Sequence, residues 1–217
     1  MTTTARPGAH DPAAYHGSRL VAYRDDGWIA QTLGRPAHGM LPPLAPALVA
    51  AAITVVLVLA GAAGQTGPAL FVPLVALLLT GPSSSHPHDG PLDWLVPPIM
   101  RAIEYGYLAA LGFAQGVSEP LIYVLIAVLA YHHYDTVYRT RQKLWPQEWM
   151  FRAGLGWDGR MLVVALAAFA GYTPLAYAAL AAYLGVLFGV ESVLTWTRTG
   201  RGEGTMVNLE DEEEAGS

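Results

Sequence analysis

Histidine and carboxylate side chains gather in a short segment, residues 80–100, that separates two strongly apolar stretches. The segment contains His86, His88, Asp89 and Asp93 but no lysine or arginine. Imidazole and carboxylate groups can bind a divalent metal or transfer a proton, although the H-P-H-D spacing matches no standard metal motif. We therefore take His86, His88 and Asp93 as candidate catalytic residues, and Asp89 and Asp93 as candidate metal ligands.

A second set of polar residues follows in an apolar helical pattern. Asp93, Pro97, Arg101 and Glu104 have i, i+4, i+8, i+11 spacing and are predicted to share one helix face. A carboxylate at the depth of Glu104 costs a few kcal/mol in a bilayer unless it is paired or hydrated. Glu104 should therefore face a protein interior, and Arg101 should either pair with it or contact a ligand.

Two later segments add charged residues that could bind phosphate. His132, Asp135 and Arg139 share a helix face by spacing, and Arg160 stands at the start of a later apolar run. Arginine binds phosphate with two parallel hydrogen bonds. The candidate phosphate-binding residues are Arg101, Glu104, His132, Asp135, Arg139 and Arg160. Structural ion pairs, interfacial packing and snorkelling of the arginines are the alternative interpretations.

The composition indicates a membrane protein. Of the 217 residues, 53% are hydrophobic and only 13% are charged, whereas soluble domains carry about 25% charged residues. The absence of cysteine excludes disulfides, catalytic thiols and thiolate metal sites. Much of the net charge of −5 comes from the C-terminal acidic run, and no basic surface suggests nucleic-acid binding.

Hydropathy predicts an all-α polytopic membrane protein with six transmembrane helices. The predicted spans are residues 44–63, 68–80, 93–115, 120–138, 160–172 and 174–195. A full crossing takes roughly 20 apolar residues, so the second and fifth spans must continue into polar residues at one end.

The distribution of basic residues predicts the orientation. Lysine and arginine cluster before the first span, between the fourth and fifth, and after the sixth, whereas the loops at 61–67, 116–120 and 171–174 contain none. The positive-inside rule then places both termini in the cytoplasm. We predict a multi-pass protein of the bacterial inner (plasma) membrane.

The sequence divides into four predicted parts. Residues 1–18 are predicted to be disordered and residues 19–42 to form an interfacial lead-in. That lead-in could be a short helix or a hairpin that turns at Asp25, Asp26 and Gly27. Residues 43–198 form the membrane domain, and residues 199–217 form an acidic disordered tail.

Four segments carry a family resemblance. The pieces are DDGWIAQTLGRPAHGMLPPLAPALVAAAIT, DGPLDWLVPPIMRAIEYGYLAALG, YHHYDTVYRTRQ and GLGWDGRMLVVALAAFAG. They resemble, in order, the lead-in, the third span, the end of the fourth span and the start of the fifth span of the CDP-alcohol phosphotransferase family. They also resemble an uncharacterised membrane module of actinobacterial proteins, which occurs beside nucleotidyltransferase and CDP-alcohol phosphotransferase domains.

The resemblance implies a six-span fold that dimerises and has a cytoplasm-facing site with two divalent metals, such as Mg²⁺. In the family, four aspartates from D-x-x-D-G-x-x-A-R and G-x-x-x-D-x-x-x-D hold the metals. Here Asp93 can match the third aspartate, but Pro97 stands where the fourth would be, and residues 75–85 contain no carboxylate. The defining motif is therefore missing.

Three functions remain open at this point. The first is a non-catalytic module that binds membrane lipid or a partner, as a homodimer or as a heterodimer with a related membrane enzyme. The second is a metal-dependent phosphotransferase with a rebuilt site that acts on a CDP-alcohol or a lipid diphosphate. The third is binding of another ligand, such as an isoprenoid diphosphate or a transported solute. We expect no nucleic-acid partner.

Overall fold

The computed structural model describes residues 19–62, 66–146 and 148–200. These residues form a helical bundle, and no strand occurs among them. The all-α prediction is therefore confirmed. The segment predicted to be disordered, 1–18, and the tail from residue 201 onward lie outside the described residues.

In the described part of the chain, nine α-helices follow a short helical stretch at residues 19–24. They are α1 (Trp28–Gly34), α2 (Leu44–Ala62), α3 (Thr66–Ala69), α4 (Val72–Thr80), α5 (Val96–Ala114), α6 (Glu119–Arg141), α7 (Glu148–Ala153), α8 (Gly156–Phe169) and α9 (Thr173–Gly200). Three 3₁₀ turns, Arg35–Ala37, Gly81–Ser83 and Asp93–Leu95, connect them.

Each of the six predicted spans overlaps at least one helix, but the boundaries differ: the fifth, predicted at 160–172, is α8 at Gly156–Phe169. The second predicted span is divided into α3 and α4. The third begins at Val96, because Asp93 lies in a 3₁₀ turn before the helix. The prediction that Asp93 shares a helix face with Arg101 and Glu104 was therefore wrong. Among the described residues, two helices are long and apolar enough to cross a membrane, within Leu44–Gly61 and Thr173–Thr197.

The centre of the bundle lies where α5 and α8 pack together. Helix α2 packs against α4 and α5, while α9 packs against α6 and α8, and α5 also packs against α6. Large side chains fill the interior, among them Trp157, Tyr107, Tyr177 and Leu125, all fully buried. Glu104 and Arg160, described below, are buried on α5 and α8 in this interior.

The lead-in is helical and does not form the alternative hairpin. After the helical residues 19–24, the chain turns at Asp25, whose φ of +53° is in the left-handed region. It then enters α1, which packs against α8 and the Gly81–Ser83 turn. The turn therefore places the Asp25 side chain against the bundle, instead of continuing one interfacial helix.

Candidate functional site

A carboxylate at the centre of the bundle joins two arginines. Glu104 of α5 is fully buried. Its Oε2 accepts a hydrogen bond from NH1 of Arg101 at 2.7 Å, and its Oε1 accepts one from Nε of Arg160 at 2.7 Å. The three-residue spacing of Arg101 and Glu104 makes the first contact within one helix turn. The sequence left open whether Arg101 pairs with Glu104, and the structure shows that it does.

The second acidic centre is Asp25, from the lead-in. Arg160 donates from NH2 to its Oδ2 at 2.7 Å, and Nε2 of His133 lies 3.1 Å from the same oxygen. Nε2 of His132 lies 3.8 Å from Oδ1, and NH1 of Arg101 lies 3.9 Å from Oδ2. Burial alone would raise the pKa of Asp25. The charge of Arg160 and the contacts of both histidines outweigh it and hold the pKa well below its usual range.

Together these groups form a network, defined here as Asp25, Arg101, Glu104, His133 and Arg160. With neutral histidine, its formal charges cancel, since it contains two carboxylates and two guanidinium groups. Its arginines also bind backbone carbonyls: Arg101 contacts those of Tyr23 and Arg24, and Arg160 contacts that of Gly154 at 3.0 Å. The network therefore fastens the lead-in to α5, α6 and α8.

The start of α8 interlocks with the turn before α1. The indole Nε1 of Trp157 donates to Asp26 at 2.7 Å, and the backbone N–H of Trp157 donates to the carbonyl of Asp25 at 3.1 Å. The Asp158 carboxylate accepts the backbone N–H groups of Gly27 at 2.6 Å and Ala30 at 3.1 Å. Gly27 has no side chain to cap α1, so a residue from another helix caps it.

Replacing Asp158 with alanine is expected to destabilise the protein by about 1–2 kcal/mol, the usual cost of a lost N-cap. Thermal unfolding in detergent would measure it, and amide hydrogen exchange should accelerate in α1. Asp158→Asn is the matched control, because it keeps one acceptor oxygen and should lose less. Equal exchange rates for α1 in the alanine variant and the native chain would contradict this cap.

Residues 80–85 form hydrogen bonds with the lead-in. Arg24 is fully buried; it pairs with Asp26 at 2.8 Å and donates to the carbonyls of Thr80 and Ser83. The hydroxyls of Ser84 and Ser85 donate to the carbonyls of Ala30 at 2.9 Å and Gly34 at 2.8 Å. Ser84 and Ser85 therefore fasten α1, while the Ser83 hydroxyl donates to the carbonyl of Thr80 and accepts from Arg24.

Another ion cluster lies at the far end of α6 and α9. Nε of Arg139 lies 3.0 Å from Asp135, and its NH1 lies 2.5 Å from Glu191. Trp196 donates to Asp135 at 3.2 Å. The pairing of Asp135 with Arg139 agrees with their predicted common face, while Glu191 completes the cluster from α9.

The contacts of His132 differ from those of Asp135 and Arg139, with which it was predicted to share a helix face. It is buried, and its ring stacks on that of Phe188 with centroids 3.8 Å apart. Its neighbour His133 is hydrogen-bonded through Nδ1 to the Tyr105 hydroxyl. His132 thus packs against α9, and its Nε2 lies 3.8 Å from Oδ1 of Asp25.

The loop before α5 brings three of the candidate residues together. His86, Asp89 and Asp93 each offer a ligand atom within 4.8 Å of the other two. Nδ1 of His86 lies 3.7 Å from Oδ2 of Asp93, which also accepts the N–H of Gly90 at 3.0 Å. His88 is fully buried, and burial lowers its pKa. Asp25, His132 and His133 form a second group of this kind.

A cavity of about 210 Å³ opens between the lead-in, α5 and α6. Its walls are mostly apolar, with Arg101, His133 and Thr136 as the polar side chains besides Tyr23. The lining residues are Leu20, Ala22, Tyr23, Trp94, Pro97, Pro98, Arg101, His133, Thr136 and Val137. The cavity is smaller than the roughly 300–1,000 Å³ typical of small-molecule sites.

The structure therefore distributes the sequence-predicted residues over separate clusters. Arg101, Glu104 and Arg160 meet in the central network, Asp135 and Arg139 pair at the end of α6, and His86, Asp89 and Asp93 meet in the loop. Sequence reasoning missed Asp25 as the second acidic centre, together with Arg24, Asp26, Trp157 and Asp158 as fastening residues. The sequence offered one signal for these contacts. The segments DDGW (residues 25–28) and GWDG (residues 156–159) are similar, and they contact each other in the structure.

Comparison with known protein families gives a match. A family model described as "Family of unknown function (DUF5941)" covers residues 14–215. No curated protein and no solved structure matches the chain.

Proposed function

Because the chain belongs to DUF5941, whose function is not known, we propose its function from its own geometry. It is a multi-pass membrane protein that binds membrane lipid and does not itself catalyse a reaction. Its six apolar helices cross the membrane, with both termini in the cytoplasm. The chain shares the architecture of the CDP-alcohol phosphotransferases but has lost their metal site.

The outward faces of the helices support the membrane part of this proposal. Only 22% of the apolar window in α2 and 28% of that in α9 is buried within the chain. A core helix of a soluble protein would be mostly buried. Val56, Leu59, Phe169, Leu175 and Val186 are instead more than 60% exposed. Apolar side chains exposed to this extent are favoured where lipid or a partner covers them.

The observation that carries the non-catalytic reading is the pairing of the arginines. Each arginine that the sequence assigned to phosphate already contacts carboxylates of the chain: Arg101 and Arg160 contact Asp25 and Glu104, and Arg139 contacts Asp135 and Glu191. A phosphate would have to displace a buried carboxylate, leaving that carboxylate without its counter-charge. These arginines therefore support a structural role.

The cavity beside the lead-in supports lipid as the ligand. Apolar walls lined by Leu20, Trp94 and Val137 suit hydrocarbon, and Arg101 and Thr136 supply a polar end. Its volume of about 210 Å³ is small for a nucleotide diphosphate with its alcohol. Part of one lipid molecule at the membrane interface matches this size and polarity better.

One observation favours the alternative, a metal-dependent phosphotransferase with a rebuilt site. His86, Asp89 and Asp93 converge, as that function requires. The same alternative also needs carboxylates from α5 and α6 as metal ligands. Glu104 and Asp135 are held by arginines in the other clusters, so this requirement is poorly supported.

Calorimetric titration of the detergent-purified protein tests the choice. We expect no binding of a CDP-alcohol or of CMP, with or without Mg²⁺, and we expect mass spectrometry to detect co-purified lipid. Magnesium-dependent nucleotide binding that is lost in Asp93→Asn, but kept in the control Glu119→Gln, would overturn the proposal. Glu119 is exposed at the opposite end of the bundle. Association with a second copy or with a related enzyme remains a prediction from the resemblance.

A further inference from the structure

The loop between α4 and α5 folds back on itself around three potential ligands. His86, Asp89 and Asp93 are three and four residues apart, and their ligand atoms all lie within 4.8 Å of one another. His88 adopts a left-handed φ of +55°, and the N–H of Gly90 donates to Asp93 at 3.0 Å. These two features turn the chain so that the side chains converge.

We propose that this loop binds one divalent transition-metal ion through His86, Asp89 and Asp93. The sequence alone suggested Mg²⁺ with a histidine as the base, whereas the geometry makes His86 a ligand. Magnesium prefers oxygen ligands throughout, and imidazole suits zinc, iron, nickel or copper. One imidazole and two carboxylates therefore select a metal such as Zn²⁺, and the two carboxylates balance its charge.

The side chains of the site are already positioned without a metal. Asp93 is only 6% exposed, and its Oδ2 lies 3.7 Å from Nδ1 of His86. The same Nδ1 accepts the N–H of His88 at 3.0 Å, and a nitrogen that accepts a hydrogen bond uses the lone pair with which it would bind a metal. A metal at this nitrogen replaces the N–H of His88, which requires a small local shift.

The side chain of His88, which lies between the ligand residues in the sequence, gives a second observation in support of the site. It is fully buried, and its Nε2 has no hydrogen-bond partner among the residues that the structure describes. Its ring lies against that of His86, with centroids 5.8 Å apart. A buried polar atom without a partner is costly and is usually explained by a water or an ion that completes the site.

The charge surroundings distinguish this loop from the other His–carboxylate group. Asp25, His132 and His133 also converge, but Arg160 lies 2.7 Å and Arg101 3.9 Å from Oδ2 of Asp25, and both would repel a cation. Within the described ranges, no arginine or lysine forms an ion pair with Asp89 or Asp93. The loop is therefore the place where a cation is favoured.

Titration of the EDTA-treated, untagged full chain in detergent tests the site, with ZnCl₂ and MgCl₂ as separate probes. We expect one Zn²⁺ per chain, bound at least tenfold more tightly than Mg²⁺. His86→Ala, Asp89→Asn and Asp93→Asn should each weaken zinc binding tenfold or more. His38→Ala is the control, because His38 is an exposed histidine outside the loop, and it should bind zinc as the native chain does.

Two further readouts make the outcome decisive. The visible absorption of bound Co²⁺ should change in His86→Ala if an imidazole is a ligand. Because Asp89 is exposed, Asp89→Asn should fold normally even if the other two variants do not. Zinc binding that survives all three substitutions, or no preference over Mg²⁺, would overturn the proposal. The outcome is independent of lipid binding, because CMP titration and lipid analysis measure that function separately.

Discussion

Replacing Glu104 with glutamine is expected to lower the free energy of unfolding by about 3–5 kcal/mol, the cost of breaking a buried ion pair from one side. Glu104 is fully buried and holds both Arg101 and Arg160 at 2.7 Å. Glutamine keeps the shape of the side chain but leaves two guanidinium groups facing the single carboxylate of Asp25. Thermal or denaturant unfolding in detergent would measure the loss.

A second substitution separates charge imbalance from general damage. Arg101→Met in the Glu104→Gln background restores equal charge, because one carboxylate (Asp25) and one guanidinium group (Arg160) remain. These two groups keep their 2.7 Å contact. The double variant should therefore recover part of the lost stability. Glu119→Gln is the matched surface control, and it should change stability by less than about 0.5 kcal/mol, as surface substitutions usually do.

The same measurement bears on function. Side chains that are arranged for a ligand often cost stability in its absence, so their removal leaves a protein as stable or more stable. If Glu104→Gln is as stable as the native chain, or binds phosphate that the native chain does not bind, the arginines of the network are poised for an anion. The pairing of the arginines with carboxylates would then no longer support the non-catalytic proposal.

Sequence periodicity predicted the helices well for a physical reason. Each apolar run has to bury or cover its surface, and the run lengths at α2, α5, α6 and α9 leave little choice except helix. The local ion pairs, Arg101 with Glu104 and Asp135 with Arg139, were also predictable, since three- and four-residue spacings bring side chains together on a helix. Contacts of this kind need no knowledge of the fold.

Contacts between distant segments could not be predicted in the same way. Asp25 meets Arg160 across 135 positions, and Gly27 meets Asp158 across 131. The direction of the Asp25 side chain depends on one left-handed residue in the lead-in. The sequence left open a short helix or a hairpin that turns at Asp25, Asp26 and Gly27. The central network therefore became visible only with the packing of α1 against α8.

The packing of α1 against α8 depends on Gly27 and Gly156, and a methyl group added to Gly156 should disrupt it. A Cβ on Gly156 would meet the backbone N and Cα of Gly27, and Gly156 also has a φ of +61°. We expect Gly156→Ala to destabilise the protein by about 2–5 kcal/mol, combining left-handed strain with overpacking against backbone that cannot yield. Thermal unfolding in detergent would measure it.

Three other glycines separate the two contributions. Gly171 has a φ of +81° but open space around its Cβ position, so Gly171→Ala should cost only the left-handed strain, about 1–2 kcal/mol. Gly27 has an ordinary φ of −80°, but its Cβ would meet the Asp158 carboxylate and the carbonyl of Leu155. Gly27→Ala should therefore cost about 1–3 kcal/mol from overpacking alone.

Gly106 lies inside α5 with open space at its Cβ position, so Gly106→Ala should be neutral or stabilise the protein by up to about 1 kcal/mol. If Gly156→Ala costs no more than Gly171→Ala, the backbones of the two turns are not in contact. The Asp25 carboxylate would then have no fixed position beside Arg160. The charge balance of the network, which carries the non-catalytic proposal, requires that contact.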